Sequence, residues 1–320
     1  MESMESIYFV TTWLCHRTCV HCYEDRFHPY YGGDLDVVVN QSRTNVPRII
    51  EHLPPRLTFR DRREPGHPER PGQIILAGGE VLLEPVRESV LYPAIAHLHR
   101  KYDTEGGVRI LIQTTGDLVT PRILADLKDL RVTLVSISGL DAFHNGLEQI
   151  GARDALKQKL TAMFQAAGYA EDEYHFFGAT PDSWIGALCP RGRAFQNSLS
   201  TATLADNFCN RWSGGLGFLD TAYEGSEVSI DPAGDVFPCC LKTKKPLGNL
   251  LVEPLDRILA RCQGNPVYEA ISRGQPERMG LTHGWSIETF LEKSKTTQAD
   301  GRPYQNLCLG CDRFHSEMMP

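Results

Sequence analysis

Apolar residues fall in short runs along this chain, and the runs change period from place to place. Residues 7–13, Ile-Tyr-Phe-Val-Thr-Thr-Trp, are apolar, β-branched and aromatic, which predicts a short buried strand. Val37, Val38, Val46, Ile49 and Ile50 fit a helical period and predict a helix over 35–53. Residues 54–72 are dense in Pro, Arg and Asp and read as an exposed loop or insertion. A rhythm then begins. Strands are expected at 73–77, 108–113 and 132–137, with helices at 84–101, 120–129 and 153–168. The strands run into Gly78-Gly79-Glu80, Thr114-Thr115-Gly116 and Ser138-Gly139-Leu140-Asp141. Residues 174–178 and 184–188 read as two more strands, too close together for a full helix between them. Such alternation predicts an α/β fold of parallel βαβ units joined right-handed, in a sheet or barrel. After about Cys209 the rhythm stops. Residues 228–239 read as a hairpin around Pro232-Ala233-Gly234-Asp235, followed by short helices near 253–262 and 286–293. A boundary near residue 207 gives two domains, 1–207 and 208–320.

Composition narrows the class. The 320 residues are 41% hydrophobic and 23% charged, with net charge −7 and no long basic run. Phosphate recognition needs clustered Lys and Arg, so no nucleic-acid partner is expected. No apolar stretch is long enough to span a bilayer, and the acidic N-terminus lacks the basic region of a signal peptide. A cytoplasmic location is expected. Thiols there stay reduced, so ten cysteines suggest metal binding or catalysis before disulfides. Cys15, Cys19 and Cys22 form one group. Cys189, Cys209, Cys239, Cys240 and Cys262 lie later, and Cys308 and Cys311 nearly end the chain.

Soft thiolates select zinc, copper(I) or iron–sulfur clusters. Structural zinc normally closes with four ligands, so a zinc knuckle here would need partners from far along the chain. Buried free thiols are the plainer alternative. A 4Fe–4S cube held by three cysteines would keep one iron open to a small chelating ligand.

The C-x3-C-x2-C spacing of Cys15, Cys19 and Cys22 directly after a first strand resembles the signature of the radical S-adenosylmethionine (SAM) superfamily. The resemblance extends through Gly78-Gly79-Glu80, Gln113-Thr114-Thr115-Gly116, Ser136-Ile137-Ser138-Gly139-Leu140-Asp141 with His144, and Arg191-Gly192-Arg193-Ala194. It implies a partial (β/α)6 TIM-like barrel with one reduced crossover. It implies a SAM-binding 4Fe–4S cluster on the three cysteines. Gly78, Gly79 and Glu80 would hold the SAM amino group, Ser138 its ribose or carboxylate, and Thr115, His21 and Tyr23 would complete the cofactor site. Two positions depart from the pattern. The residue before the third cysteine is usually aromatic and is His21 here, and Val81 stands where proline often follows the glycines.

Cys209, Cys239, Cys308 and Cys311, with Val236 to Cys240 and Pro246 to Leu250, resemble the SPASM/twitch extension of that superfamily. The short twitch form implies a β-hairpin, short helices and a second, auxiliary 4Fe–4S cluster on four cysteines. Cys239 and Cys240 compete for one ligand position, and Phe237-Pro238 favours Cys239. A structural zinc site would use the same residues. Cys262 reads as a core thiol. Cys189, at the end of the last barrel strand, reads as rim packing or as a hydrogen-atom donor.

The resemblance implies reductive cleavage of SAM and hydrogen abstraction from a small polar metabolite, sugar-like or aminocyclitol-like, ending in dehydrogenation or epimerisation. Cys189, Cys240 and Arg193 are the candidate catalytic residues. A flavodoxin or ferredoxin would donate electrons. The alternatives are a peptide maturase forming thioether or carbon–carbon crosslinks, aminocarboxypropyl transfer to an acceptor such as arsenite, and a non-catalytic iron–sulfur or zinc scaffold. The start of the chain fourteen residues before Cys15 leaves no room for the recognition domain expected of a peptide maturase.

Overall fold

The computed structural model describes residues 4–178, 187–211 and 213–319. Its centre is one eight-stranded sheet. The strands are β1 (Ser6–Val10), β2 (Gln73–Ala77), β3 (Arg109–Thr114), β4 (Leu134–Ile137), β5 (Tyr174–Phe176), β6 (Glu227–Ile230), β7 (Asp235–Phe237) and β8 (Gly248–Asn249). Their order is β8-β7-β6-β1-β2-β3-β4-β5. From β6 across to β5 every pairing is parallel, and β7 and β8 add antiparallel to the other edge. This is the parallel-rich α/β sheet of a partial TIM-like fold with a C-terminal extension. The expected strand at 184–188 lies mostly outside the described residues.

One face of the parallel strands is apolar and sealed from water, while the opposite face carries Tyr8 and Gln113, which line a cavity. Ile7, Phe9, Ile74, Leu76, Ile110, Ile112, Val135 and Ile137 are fully buried. The covering helices are α1 (Gly33–Glu51), α2 (Tyr92–Tyr102), α3 (Pro121–Asp129) and α4 (Ile150–Ala166). The helix expected at 84–101 is present as a continuous helical run from Glu84 to Tyr102, but it is not uniform. A turn at Glu84–Val86 leads into a π-helical stretch at Arg87–Leu91 before α2 starts. Pro93 explains the widening, since it has no N–H to donate back to the preceding turn.

Three features differ from the sequence reading. Residues 54–72 are not a plain exposed loop. Thr58–Arg60 pairs with Glu69–Pro71 as a small hairpin, and Leu57 is fully buried beneath it. The sheet does not stop at residue 207, because β6 pairs in parallel with β1, Phe9 opposite Ile230. β1 is buried along its whole length, so an unpaired edge there would leave backbone groups unsatisfied. Finally, a helix at Leu307–Met318, α5, carries Cys308 and Cys311. Among the described residues no helix is long and apolar enough to cross a membrane.

Candidate functional site

The loop after β1 carries Cys15, Cys19 and Cys22 over the ends of the parallel strands. Cys15 and Cys19 are buried and Cys22 half-buried. Four attachments hold this loop. The Cys15 N–H donates to the His28 carbonyl at 3.1 Å and closes its base. Gly79 lies so close beneath that a Cβ there would come 2.3 Å from the Leu14 oxygen and 2.8 Å from the Cys15 Cβ. At the far side, a Cβ on Gly192 would meet the Cys22 carbonyl oxygen at 2.6 Å. Lastly, Asp117 at the end of β3 accepts from Arg17 at 2.7 Å and pairs with His16 at 2.7 Å.

Arg193, expected among the catalytic residues, instead clamps this loop. Its backbone N–H donates to the Cys22 carbonyl at 2.8 Å. Its guanidinium donates to the carbonyls of Cys19 (2.9 Å), Asp25 (3.1 Å) and Phe27 (2.8 Å). Arg193 thus holds four loop residues, three of them through its guanidinium, and that makes it a positioning residue.

The cofactor candidates divide in the same way. Gly78, Gly79, Thr115, Ser138, His21 and Tyr23 all line one cavity, and Glu80 does not. The Glu80 carboxylate is buried, and it accepts from the Leu82 N–H, the Thr114 and Thr115 hydroxyls and the Thr115 N–H, all at 2.7–2.9 Å. It fastens the ends of β2 and β3 together. Ser138 donates to the Thr114 carbonyl at 3.2 Å. Tyr23 packs edge-on against Phe27, with its hydroxyl 3.4 Å from that of Tyr8. Sequence reasoning missed Gln113, Arg17, Asp141 and Lys242, which also line the cavity. The Gln113 amide oxygen is buried without a partner, which suits it to a bound ligand. Its only sequence signal was its place in a strand-end motif.

His21 stands beside a hydrogen-bonded pair, His144 and Asp141, whose Nδ1 and Oδ1 are 2.9 Å apart. The rings of His21 and His144 meet edge-on at 4.6 Å. Burial first, then His144, pushes the His21 imidazole down to about 4, so it is neutral. Burial opposes the Asp141 charge, but His144 and His21 outweigh it and hold the carboxyl at about 2.

The second cysteine set converges from three segments. Cys209 follows a short turn, Cys239 ends β7, and Cys308 and Cys311 sit one helical turn apart on α5. They are electrostatic neighbours: after burial, Cys239 and Cys308 push up the Cys209 thiol, and Cys209 and Cys308 act on Cys311. Cys240 has different company. After burial its thiol is raised by Cys239, Glu227 and Cys189, and it acts on the hydroxyls of Tyr8 and Tyr23. Cys239 thus lies near Cys209 and Cys308, while Cys240 lies near Glu227, Cys189 and the two tyrosines as well as Cys239, and both line the cavity. Arg191 ties the group together. Its guanidinium pairs with Asp312 and donates to the carbonyls of Leu241 (3.1 Å) and Lys242 (3.3 Å). Cys262 lies apart in the core, as expected.

A single cavity of about 400 Å³ is lined by all seven candidate ligands, and by Cys189 and Cys240 between them. Cys189 is an electrostatic neighbour of Cys22 on one side and of Cys308 and Cys240 on the other. Burial pushes the thiols of Cys15 and Cys308 up to about 12 and that of Cys22 up to about 11. Such thiols stay protonated until a metal displaces the proton. Tetrahedral zinc, with Zn–S near 2.3 Å, would set its sulfurs about 3.8 Å apart. Among the described residues only His21, Asp141 and His144 bring three ligand atoms within 4.8 Å of one another.

Residues 223–312 match the family model described as the SPASM iron–sulfur cluster-binding domain. This segment is similar to a SPASM domain. The match takes in Cys239, Cys240, Cys308 and Cys311, and the fourth candidate ligand, Cys209, lies ahead of it. No curated protein sequence matches the chain. Among solved structures the chain is similar to BtrN in complex with AdoMet and 2-DOIA, at 13% identity and TM-score 0.47, covering 90% of this chain and 93% of that one. It is similar to anSMEcpe with bound AdoMet and the Cp18Cys peptide, at 14% identity and TM-score 0.44, covering 88% and 84%. It is also similar to Streptococcus suis SuiB bound to the precursor peptide SuiA, at 10% identity and TM-score 0.48, covering 90% and 75%. In this chain the SPASM-like segment contributes β6 to β8 to the central sheet and Cys239, Cys308 and Cys311 to the cavity wall.

Proposed function

We propose that the chain is a radical SAM oxidoreductase that dehydrogenates a small molecule held between two iron–sulfur clusters. One observation carries the reading: a single cavity is lined both by Cys15, Cys19 and Cys22 and by Cys209, Cys239, Cys308 and Cys311. The open-cornered cube would supply reductive cleavage of SAM and hydrogen-atom abstraction, and the fully ligated one would take up an electron.

The protein's own residues do the rest. Arg193, Asp117 and Gly79 fix the loop that presents the first three thiolates. Glu80 orients Thr115, and Gly78, Gly79, Gln113, Thr115 and Ser138 offer backbone and side-chain polar groups at the strand ends, where a parallel barrel sites its ligands. Tyr8, Phe27, Phe177 and Leu188 wall the space and exclude water. A cavity of about 400 Å³ suits a small ligand. The proposed substrate is a small polar metabolite, and the proposed electron donor is a flavodoxin or ferredoxin.

Epimerisation is the second reading. It is favoured by Cys240, a half-buried thiol on the cavity wall that is not needed among the four proposed auxiliary ligands. Anaerobic incubation of the reconstituted, reduced protein with SAM tests the class. Release of 5′-deoxyadenosine is expected, and its absence under strong reductant would remove the proposal. With a substrate in hand, deuterated water separates the readings. Dehydrogenation gives a product two hydrogens lighter, whereas epimerisation leaves the mass unchanged in ordinary water and adds one deuterium.

A further inference from the structure

His315 is fully buried, and neither of its ring nitrogens has a hydrogen-bond partner among the described residues. Buried side-chain nitrogens without partners are exceptional, because losing water without gaining a protein contact is unfavourable. The residue sits on α5, four positions after Cys311 and seven after Cys308. At 3.6 residues per turn those spacings put all three side chains on one face of the helix. Arg191 marks the same place. It pairs with Asp312, neighbours Cys239, Cys308 and Cys311, and is the one charged group that adds to burial in keeping the His315 imidazole neutral. A neutral imidazole has one N–H to donate. The protein atoms around it offer no acceptor, but the sulfur of a cluster on Cys308 and Cys311 would.

We propose that His315 donates an N–H hydrogen bond to a sulfur of the auxiliary cluster, and so positions that cluster and raises its reduction potential. This rests on the cluster being present in the SPASM-like segment. His315 lies three residues beyond that segment's matched end, so the matched region alone would not point to it. A hydrogen bond to cluster sulfur stabilises the more negative, reduced state. His315 is thus a positioning residue for electron uptake, with no contact to substrate required.

The test uses the full-length chain with Cys15, Cys19 and Cys22 replaced by alanine, so that the auxiliary cluster alone contributes to the spectra. Iron is counted first. A chain that binds no cluster would refute the SPASM cluster reading, and the proposal with it. Where the cluster is present, pulsed electron paramagnetic resonance of the reduced state is compared with and without ¹⁵N-histidine. A weak histidine nitrogen coupling, lost in His315→Phe, is expected. The midpoint potential of His315→Phe should move negative, and His315→Gln, which keeps an N–H donor, should recover most of the shift. With a cluster present, no nitrogen coupling would overturn the proposal and leave the cluster assignment standing. A strong coupling of the Fe–N kind would also overturn it, by making His315 a ligand. The Gln variant keeps the question open to test if the Phe variant fails to fold.

Discussion

Glu80 receives four hydrogen bonds on one carboxylate, and Gly79 beside it has almost no room for a side chain. Glu80→Gln can keep only part of that set, because an amide has one acceptor oxygen where the carboxylate had two. The variant should lose about 1–3 kcal/mol of stability, read as a lower denaturant midpoint. Gly79→Ala should act more locally. Its Cβ would press into the Leu14 carbonyl and the Cys15 side chain, and neither is a flexible tip that can swing aside. Anaerobic iron content should fall from about eight atoms per chain to about four, the auxiliary cluster surviving. Equal loss from both clusters would contradict this local account.

At the scale of elements, the two adjacent cysteines after β7 have different neighbours. Cys239 keeps company with Cys209 and Cys308, and Cys240 faces Tyr8, Tyr23 and Glu227. Cys239→Ala should lower iron to about four atoms per chain, while Cys240→Ala should keep about eight and act on turnover alone. Metal analysis and product assay on the two variants check both halves. The parallel strands were legible in the sequence because each is a short apolar run between turn residues, and β2 was placed to the residue. The first cysteine loop was legible because its three ligands are local. Other features were hidden for physical reasons. α5 has a mixed face, with Gly310 and Asp312 among its apolar residues, so its period is weak. Glu80 and Arg193 were assigned by motif to contact with ligand. Leu82 aside, their side-chain hydrogen-bond partners lie 34 to 174 residues away, a distance no local pattern records. The pairing of β6 with β1 joins segments 221 residues apart and was equally invisible.

At the scale of the whole molecule, the cysteine loop and the SPASM-like segment meet through buried charge. Lys242 lies 2.6 Å from Glu24 and 4.5 Å from the Trp13 ring centre, and Arg26 lies 3.6 Å over the same ring. Burial raises the Glu24 carboxyl, but Arg26 and Lys242 outweigh it and hold it at about 2. Burial also pulls the Lys242 ammonium below its ordinary value, more strongly than Glu24 restores it. The pair therefore adds little net stability while joining the two parts. A carboxyl depressed on folding stabilises the native state above its unfolded value near 4.5, and that contribution disappears as pH falls toward 2. Denaturant midpoints should drop across that window, and the drop should be shallower in Glu24→Gln. β1 has a temporal consequence of its own. Its second neighbour in the sheet is β6, which the ribosome delivers some two hundred residues later. Throughout that interval the first strand has a bare flank, and nascent chains guard such flanks poorly against sticking to one another. The cysteine loop waits almost as long for its clamp, since Arg193 follows Cys19 by 174 residues.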